Sequence, residues 1–124
     1  MKPSTAKAKG AKTEQLFVDY IKTKGVPNAE RRHLCGEYDK GDVAGWVKNK
    51  GQDSVCVEVK SGAVLKIPAW IEELYSEIEN SQADTGFIAV RPKGKPKPED
   101  WFTVIPMDIM LELLERAGFL PTYD

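Results

Sequence analysis

The chain has 124 residues, of which 41% are hydrophobic and 30% are charged, and this composition is typical of a single globular domain. It contains no apolar run of about 20 residues, so we expect no membrane span, and it has no CxxC pair, so we expect no zinc site. Its lysine-bearing N-terminus has no apolar signal region, so we expect no secretory signal and therefore an intracellular, cytoplasmic protein. The net charge of −1 conceals an asymmetry, because basic residues outnumber acidic ones by thirteen to eight through Lys66 and acidic residues predominate afterwards. The basic half permits a phosphate-binding face, and a solvated surface explains the same pattern.

The N-terminal segment is predicted to be a flexible basic tail over residues 1–11, with disordered leader sequence as the alternative. Residues 12–124 then form the single folded domain. Thr13 is a candidate N-cap for a first helix over residues 13–24, and Gly25 ends that helix. The apolar side chains that recur on one side of it are Leu16, Phe17, Tyr20 and Ile21.

Three strands follow in the prediction, over residues 31–36, 42–48 and 55–60. The sequence Asn-Lys-Gly-Gln at 49–52 has turn chemistry, so the second and third strands are predicted to form a hairpin. The third strand is rich in valine, which indicates a central and largely buried position.

The remaining sequence alternates helices with strands. Its predicted elements are a helix over 68–81, a strand over 86–91, an exposed loop over 92–98, a strand over 101–105 and a helix over 107–117. The apolar face of the helix over 68–81 is predicted to comprise Trp70, Ile71, Leu74, Tyr75 and Ile78. The resulting order α-β-β-β-α-β-β-α predicts an α/β fold with a central mixed sheet flanked by helices.

The third strand carries an acid and a base where apolar residues are expected. Because side chains alternate along a strand, Glu58 and Lys60 share the face opposite Val55, Val57 and Val59. Burying two charges costs several kcal/mol for each ion before they pair, which indicates a functional site. The alternative is a same-face ion pair on a half-exposed strand.

Asp42 and Glu14 are the candidate partners of Glu58. Asp42 opens the second strand, so hairpin pairing brings it to the end of the third strand. Carboxylates that share a site repel one another, and a hard divalent cation such as Mg²⁺ or Mn²⁺ compensates for their charge. Glu14 is either a further carboxylate or a simple complement to the helix dipole. Asp39 competes with Asp42, but its surroundings favour a turn.

An ordered set of residues resembles the PD-(D/E)xK nuclease superfamily: Glu14, then Gly41-Asp42-Val43, then Glu58-Val59-Lys60. The set is most similar to the archaeal-type Holliday junction resolvases and their phage-encoded relatives. The helix around Trp70 and the run from Gly86 to Arg91 also look like the phage members, so the resemblance covers nearly the whole chain after the tail. Gly41 stands where the superfamily has its proline. Gln82 comes too late for the glutamine-tyrosine motif of RecB-like exonucleases.

The resemblance implies a Mg²⁺-dependent, structure-selective DNA endonuclease that resolves four-way junctions and accepts Mn²⁺ in place of Mg²⁺. It implies that Asp42, Glu58, Glu14 and the carbonyl of Val59 bind metal, and that Lys60 positions the attacking water. It also implies a homodimer, because two symmetric nicks need two active sites. A phage-encoded protein that acts in the host cytoplasm is compatible with this resemblance.

Shape and backbone charge are expected to dominate recognition of branched DNA. The residues expected at the DNA backbone are Lys9, Lys12, Lys40, Lys66 and Arg91. Two alternatives stay open: a flap or nicking endonuclease of the same superfamily, and a non-catalytic DNA-binding module on the same fold.

Overall fold

The computed structural model of the chain describes residues 3–32, 39–47, 54–62 and 64–121. Its elements in chain order are α1 Pro3–Thr23, β1 Glu30–Arg31, β2 Val43–Ala44, β3 Val55–Ser61, α2 Ile67–Ser81, β4 Thr85–Arg91, β5 Phe102–Val104 and α3 Met107–Arg116. A short 3₁₀ turn over Pro98–Asp100 precedes β5. The predicted α/β class is confirmed, with a mixed three-stranded sheet and a small antiparallel pair.

The main sheet has the order β3-β4-β5. Strands β3 and β4 run parallel, with Glu58 opposite Ile88, because α2 carries the chain back across the sheet between them. Strand β5 then pairs antiparallel with β4, with Val104 also opposite Ile88. One edge of β3 is therefore covered by β4, and its other edge faces the segment that contains β2.

Strand β3 separates two apolar layers, as the alternation of its side chains predicted. Val57 and Val59 are buried against Phe17 of α1 and its neighbours. Cys56 is buried on the other face, in a cluster with Trp70 and other residues of α2. Because side chains alternate along a strand, Glu58 and Lys60 also face α2. The sheet thereby presents both charged residues to a single helix.

The described residues on either side of the predicted hairpin turn form antiparallel contacts, as a hairpin between the second and third strands requires. The N–H of Val55 donates to the carbonyl of Trp46 at 3.0 Å, and Val47 and Ser54 form an antiparallel bridge. The predicted turn over 49–52 lies outside the described residues. Strand β2 is shorter than predicted because Gly45, with φ of +82°, leaves strand geometry, and a Cβ there would lie 2.0 Å from the carbonyl oxygen of Asn28.

The first helix begins ten residues earlier than predicted. Helix α1 starts at Pro3, so most of the segment assigned to a flexible tail is helical. Its alanines and lysines are good helix formers, and this propensity extends the helix past the candidate cap at Thr13. Thr13 instead lies within α1, where its hydroxyl accepts a hydrogen bond from Arg91.

The first predicted strand is described only in part. Strand β1 covers Glu30–Arg31, and most of the range predicted for that strand lies outside the described residues. Helix α2, strand β4 and helix α3 agree with their predicted bounds to within one residue. None of the helices in the described ranges combines the length and the apolar character that crossing a membrane requires.

Candidate metal centre on strand β3

Glu58 and Lys60 form the ion pair that the strand pattern suggested. The Nζ atom of Lys60 lies 3.5 Å from Oε1 of Glu58 and 3.1 Å from Oε1 of Glu73 on α2. It also lies 5.9 Å from the centre of the Trp70 ring. Glu58 is only 6% exposed, and its Oε2 atom has no hydrogen-bond donor among the described residues. The ion pair therefore gives Oε1 of this buried carboxylate a partner and leaves Oε2 without one among the described residues.

Asp42 lies along the edge of β3 that β4 does not cover. Its N–H donates to the carbonyl of Val57 at 2.9 Å, and its Oδ2 atom accepts from the N–H of Val59 at 2.7 Å. Within a strand the N–H and C=O of one residue point to the same edge, so the carbonyl of Val59 lies on this edge as well. Asp42, Glu58 and the Val59 carbonyl are thus grouped at one point of β3; we call these three, with Lys60, the edge site.

Gly41 allows the chain to approach β3 closely enough to position Asp42. Its φ is +92°, and a Cβ would lie 3.0 Å from Sγ of Cys56 and 3.1 Å from the carbonyl oxygen of Val57. Proline has φ near −65°, so it cannot adopt this conformation. A glycine at position 41 therefore has a local steric reason in this chain, and a proline there would not fit.

Glu14 occupies a different position from the other predicted ligands. Its Oε1 atom accepts a hydrogen bond from Nε of Arg31 at 3.2 Å. Its charge contributes to raising the pKa of Asp42, so the two carboxylates are close enough to interact. Glu14 borders the edge site, and its partner there is an arginine.

A second group of carboxylates surrounds Glu58 on its α2 side. Asp39, Glu58, Glu73 and Glu77 each offer one oxygen, and these four atoms lie within 4.8 Å of one another. We call these four residues the carboxylate cluster. Glu73 and Glu77 are four residues apart on α2, so both point from one face of the helix. Glu77 is 1% exposed, and neither of its carboxyl oxygens has a donor within the described part of the chain.

The sequence analysis missed Glu73 and Glu77, although a signal for Glu77 was present. Glu77 follows the buried residues Trp70 and Leu74 at helical spacing, so it continues the apolar stripe of α2. Tyr75, which was assigned to that stripe, is 42% exposed. A glutamate in register with buried apolar residues was the available sign of a site on α2.

Asp39 forms the turn that its sequence predicted and also joins the carboxylate cluster. Its Oδ1 atom accepts a hydrogen bond from the N–H of Gly41 at 2.9 Å. Its backbone carbonyl accepts one from the side chain of Asn80 at 2.8 Å. The turn and α2 together therefore fix the position of this exposed aspartate.

Burial alters the protonation of the carboxyl groups. It raises the pKa of Asp42 to about 6, against the opposing effect of the hydrogen bond from Val59. Burial likewise raises the pKa of Glu77 to about 7. For Glu58, burial and then the neighbouring carboxyls Glu77 and Asp42 raise the pKa strongly. These buried carboxyl groups therefore hold their protons to higher pH than exposed carboxyl groups do.

The neighbouring lysine and cysteine restrict the chemistry of the site. Burial lowers the pKa of Lys60, but its contacts with Glu73 and Glu58 outweigh burial and leave that pKa above its ordinary value. Lys60 is therefore an ammonium group at neutral pH. Burial raises the pKa of Cys56 to about 12, so Cys56 stays a thiol and is not a thiolate ligand. Oxygen donors alone suit Mg²⁺, Mn²⁺ or Ca²⁺.

The residues predicted to contact DNA differ in their surroundings. Lys12, Lys40 and Lys66 are exposed, and the side chain of Lys9 lies outside the described residues. Arg91 is engaged within the protein, because its Nη1 donates to the hydroxyl of Thr13 and its Nε donates to the carbonyl of Lys95. These bonds connect β4 to α1 and to the following loop.

Comparison of the chain with protein-family models, with curated proteins and with solved structures finds no match. Any functional conclusion therefore rests on the arrangement of the described residues. That arrangement places the carboxylate of Glu58, a backbone carbonyl and the ammonium group of Lys60 on β3, with the carboxylates of Asp42 and Glu77 beside them. It is suited to bind a hard cation and to stabilise negative charge beside it.

Proposed function

We propose that the protein is a Mg²⁺-dependent DNA endonuclease that cuts branched DNA, with four-way junctions as its preferred substrate. The observation that carries the proposal is the buried carboxylate of Glu58, placed between Asp42 on the strand edge and Lys60 on the same face. Its Oε2 atom, which has no donor within the described ranges, fits an oxygen-ligated cation. The resemblance of these residues to the PD-(D/E)xK motif supports the same assignment.

In this proposal Asp42, Glu58 and the carbonyl of Val59 hold the cation. When bound, the ion supplies Lewis-acid activation of the phosphodiester and lowers the pKa of a water. The hydrogen bond from the N–H of Val59 fixes the orientation of Asp42. Lys60 fixes Oε1 of Glu58, which leaves Oε2 available to the cation.

Lys60 acts as a donor and a positive charge, because its raised pKa keeps it protonated. It holds the attacking water and stabilises the negative charge that develops on the phosphoryl oxygens. Glu73 accepts from its Nζ atom, and the ring of Trp70 lies beneath it. These two contacts restrict the position of the ammonium group.

Recognition of DNA is assigned to exposed basic residues near the site. Lys40 lies two residues before Asp42, and Lys66 directly precedes α2, which carries Glu73. Lysines bind phosphate without reading sequence, so the proposal is that DNA shape and backbone charge determine binding.

The deciding experiment compares cleavage of a four-way junction, a flap and a plain duplex in Mg²⁺ or Mn²⁺. Asp42→Asn and Glu58→Gln are expected to reduce junction cleavage by about 10²–10³-fold or more and to preserve junction binding. Glu72→Gln is the matched control, because Glu72 is exposed on α2. Folded protein that binds the junction but cuts no DNA would favour a non-catalytic binding module. Faster cutting of the flap would favour a flap endonuclease.

A further inference from the structure

We propose that the carboxylate cluster binds a second divalent cation, on the α2 side of β3, with Glu58 as a ligand shared with the edge site. The ligands are one oxygen each from Asp39, Glu58, Glu73 and Glu77. The inference goes beyond the proposed nuclease function, because the cluster would bind this ion whether or not the protein cuts DNA.

Glu77 is a buried carboxylate within the cluster. Its side chain lies among the buried residues of α2, next to Leu74 in the helical stripe, and it is 1% exposed. Both of its oxygens lack a hydrogen-bond donor among the residues described, and the nearby ammonium of Lys60 pairs with Glu58 and Glu73 instead. A buried carboxylate without a partner is costly, so such groups are generally paired or bound to a metal.

The spacing of the four cluster oxygens is compatible with one bound cation. In octahedral coordination, opposite ligands are separated by twice the metal–oxygen distance, which is about 4.2 Å for Mg²⁺ and about 4.8 Å for Ca²⁺. The four oxygens of the cluster lie within 4.8 Å of one another. No two of these oxygens are therefore farther apart than opposite ligands of a bound Ca²⁺ ion, so the spacing is compatible with a single hard divalent cation.

The ligands of the cluster are held by separate parts of the fold. Three structural units supply them, since Asp39 comes from the turn before β2, Glu58 from β3, and Glu73 and Glu77 from α2. Hydrogen bonds with Gly41 and Asn80 fix the turn that carries Asp39. The ammonium group of Lys60 pairs with Glu58 and Glu73 and not with Glu77, so a divalent cation would balance the charge of Glu77.

The test counts Mn²⁺ ions bound to the full-length protein after removal of metal with EDTA, by electron paramagnetic resonance. We expect two ions per chain in the natural protein and one in Glu77→Gln. Asp39→Asn keeps an oxygen for the N–H of Gly41 and is expected to lower the affinity of the cluster for its ion by at least about tenfold. Glu72→Gln, on the exposed side of α2, is expected to bind two ions. Calorimetric titrations with Ca²⁺ and with Mg²⁺ then determine which ion size binds more tightly.

Asp42→Asn separates the two sites, because it removes an edge ligand that the cluster does not use. It is expected to retain the cluster ion. A folded Glu77→Gln that binds as many Mn²⁺ ions as the natural protein overturns the inference. If Glu77→Gln does not fold by circular dichroism, unchanged Mn²⁺ affinity in Asp39→Asn overturns it. A protein that cuts no DNA, yet loses one ion in Glu77→Gln, refutes the nuclease function and supports the cluster site.

Discussion

Gly41 determines where Asp42 lies, and its replacement is predicted to reduce stability. Alanine at this position combines a strained φ of +92° with close contacts to Cys56 and Val57. We expect Gly41→Ala to lower the free energy of unfolding by about 1–3 kcal/mol, measured by urea denaturation. Gly118→Ala is the control, because Gly118 has φ of +89° with open space around its Cβ position. Equal losses in both variants would show that the approach to β3 is not tight.

The buried acids predict an unusual dependence of stability on pH. Burial raises the pKa of Asp42 to about 6 and that of Glu77 to about 7, above the range of carboxyls in an unfolded chain. The folded protein therefore keeps protons that the unfolded chain releases between about pH 4 and pH 7. The free energy of unfolding of metal-free protein should fall as pH rises through this window, by on the order of 5 kcal/mol for the two groups together.

Urea denaturation in EDTA at several pH values between 5 and 8 measures this loss of stability. Glu77→Gln should show a shallower dependence, because it removes one of the titrating groups. A divalent cation should stabilise the natural protein more at pH 8 than at pH 5, since the carboxylates are then ionised. Stability that rises with pH in the absence of metal would contradict the prediction.

At this scale the sequence revealed part of the site. Alternation along β3 was sufficient to place Glu58 and Lys60 on one face, because that rule depends on local geometry alone. It did not reveal the cluster, since the contact of Asp39 with Glu77 depends on how α2 lies over the sheet. Tyr75 was preferred for the buried face because it is more hydrophobic than a glutamate, and the structure exposes it.

Among the elements, α2 supports the site by packing on β3 and β4. Leu74 is fully buried in that contact. We expect Leu74→Ala to lower the free energy of unfolding by about 2–5 kcal/mol, because it leaves a cavity beneath the helix. Leu65→Ala, at a position that is 48% exposed, is the matched control and should cost less than about 1 kcal/mol. Denaturant titrations of the two variants provide the comparison, and similar losses would argue against α2 as the main support.

Elements that are formed by interactions between residues close in sequence were predicted more accurately than elements that depend on tertiary contacts. Helix α2, strand β4 and helix α3 have strong local periodicity, and their bounds were predicted to within one residue. Strand β2 was predicted too long, because the close approach of Gly45 to Asn28 is a tertiary contact. The start of α1 was misplaced because a lysine-rich segment was interpreted through its charge, and its helix propensity was given too little weight.

For the whole molecule, the resemblance to junction resolvases predicts a homodimer. The exposed apolar residues of α3 and the turn after it are a candidate surface: Met107, Met110, Leu111, Phe119 and Leu120. We expect sedimentation equilibrium to give twice the mass of one chain, and Phe119→Glu to shift the protein towards monomer. Leu65→Glu serves as the control at another exposed position. A monomer at micromolar concentration in the natural protein would contradict this prediction.

Asp42 covers one edge of β3, so its replacement is predicted to affect the solubility of the protein as well as the proposed metal site. An uncovered strand edge presents unpaired N–H and C=O groups to other chains and favours aggregation. Asp42→Ala is expected to increase light scattering on storage, whereas Asp42→Asn retains an oxygen for the N–H of Val59 and should remain clear. Equal scattering by both variants would count against this role.

The carboxylate of Asp42, beside β3, thus has two roles, as a proposed metal ligand and as the acceptor that covers the N–H of Val59 at the strand edge. If the proposed function is correct, loss of this carboxylate removes activity and also leaves the N–H of Val59 without its acceptor. The second effect does not depend on catalysis, so an acceptor at position 42 serves the fold in either case. The aspartate at position 42 is therefore weaker support for a metal site than the oxygens of Glu58 and Glu77, which have no donor among the described residues.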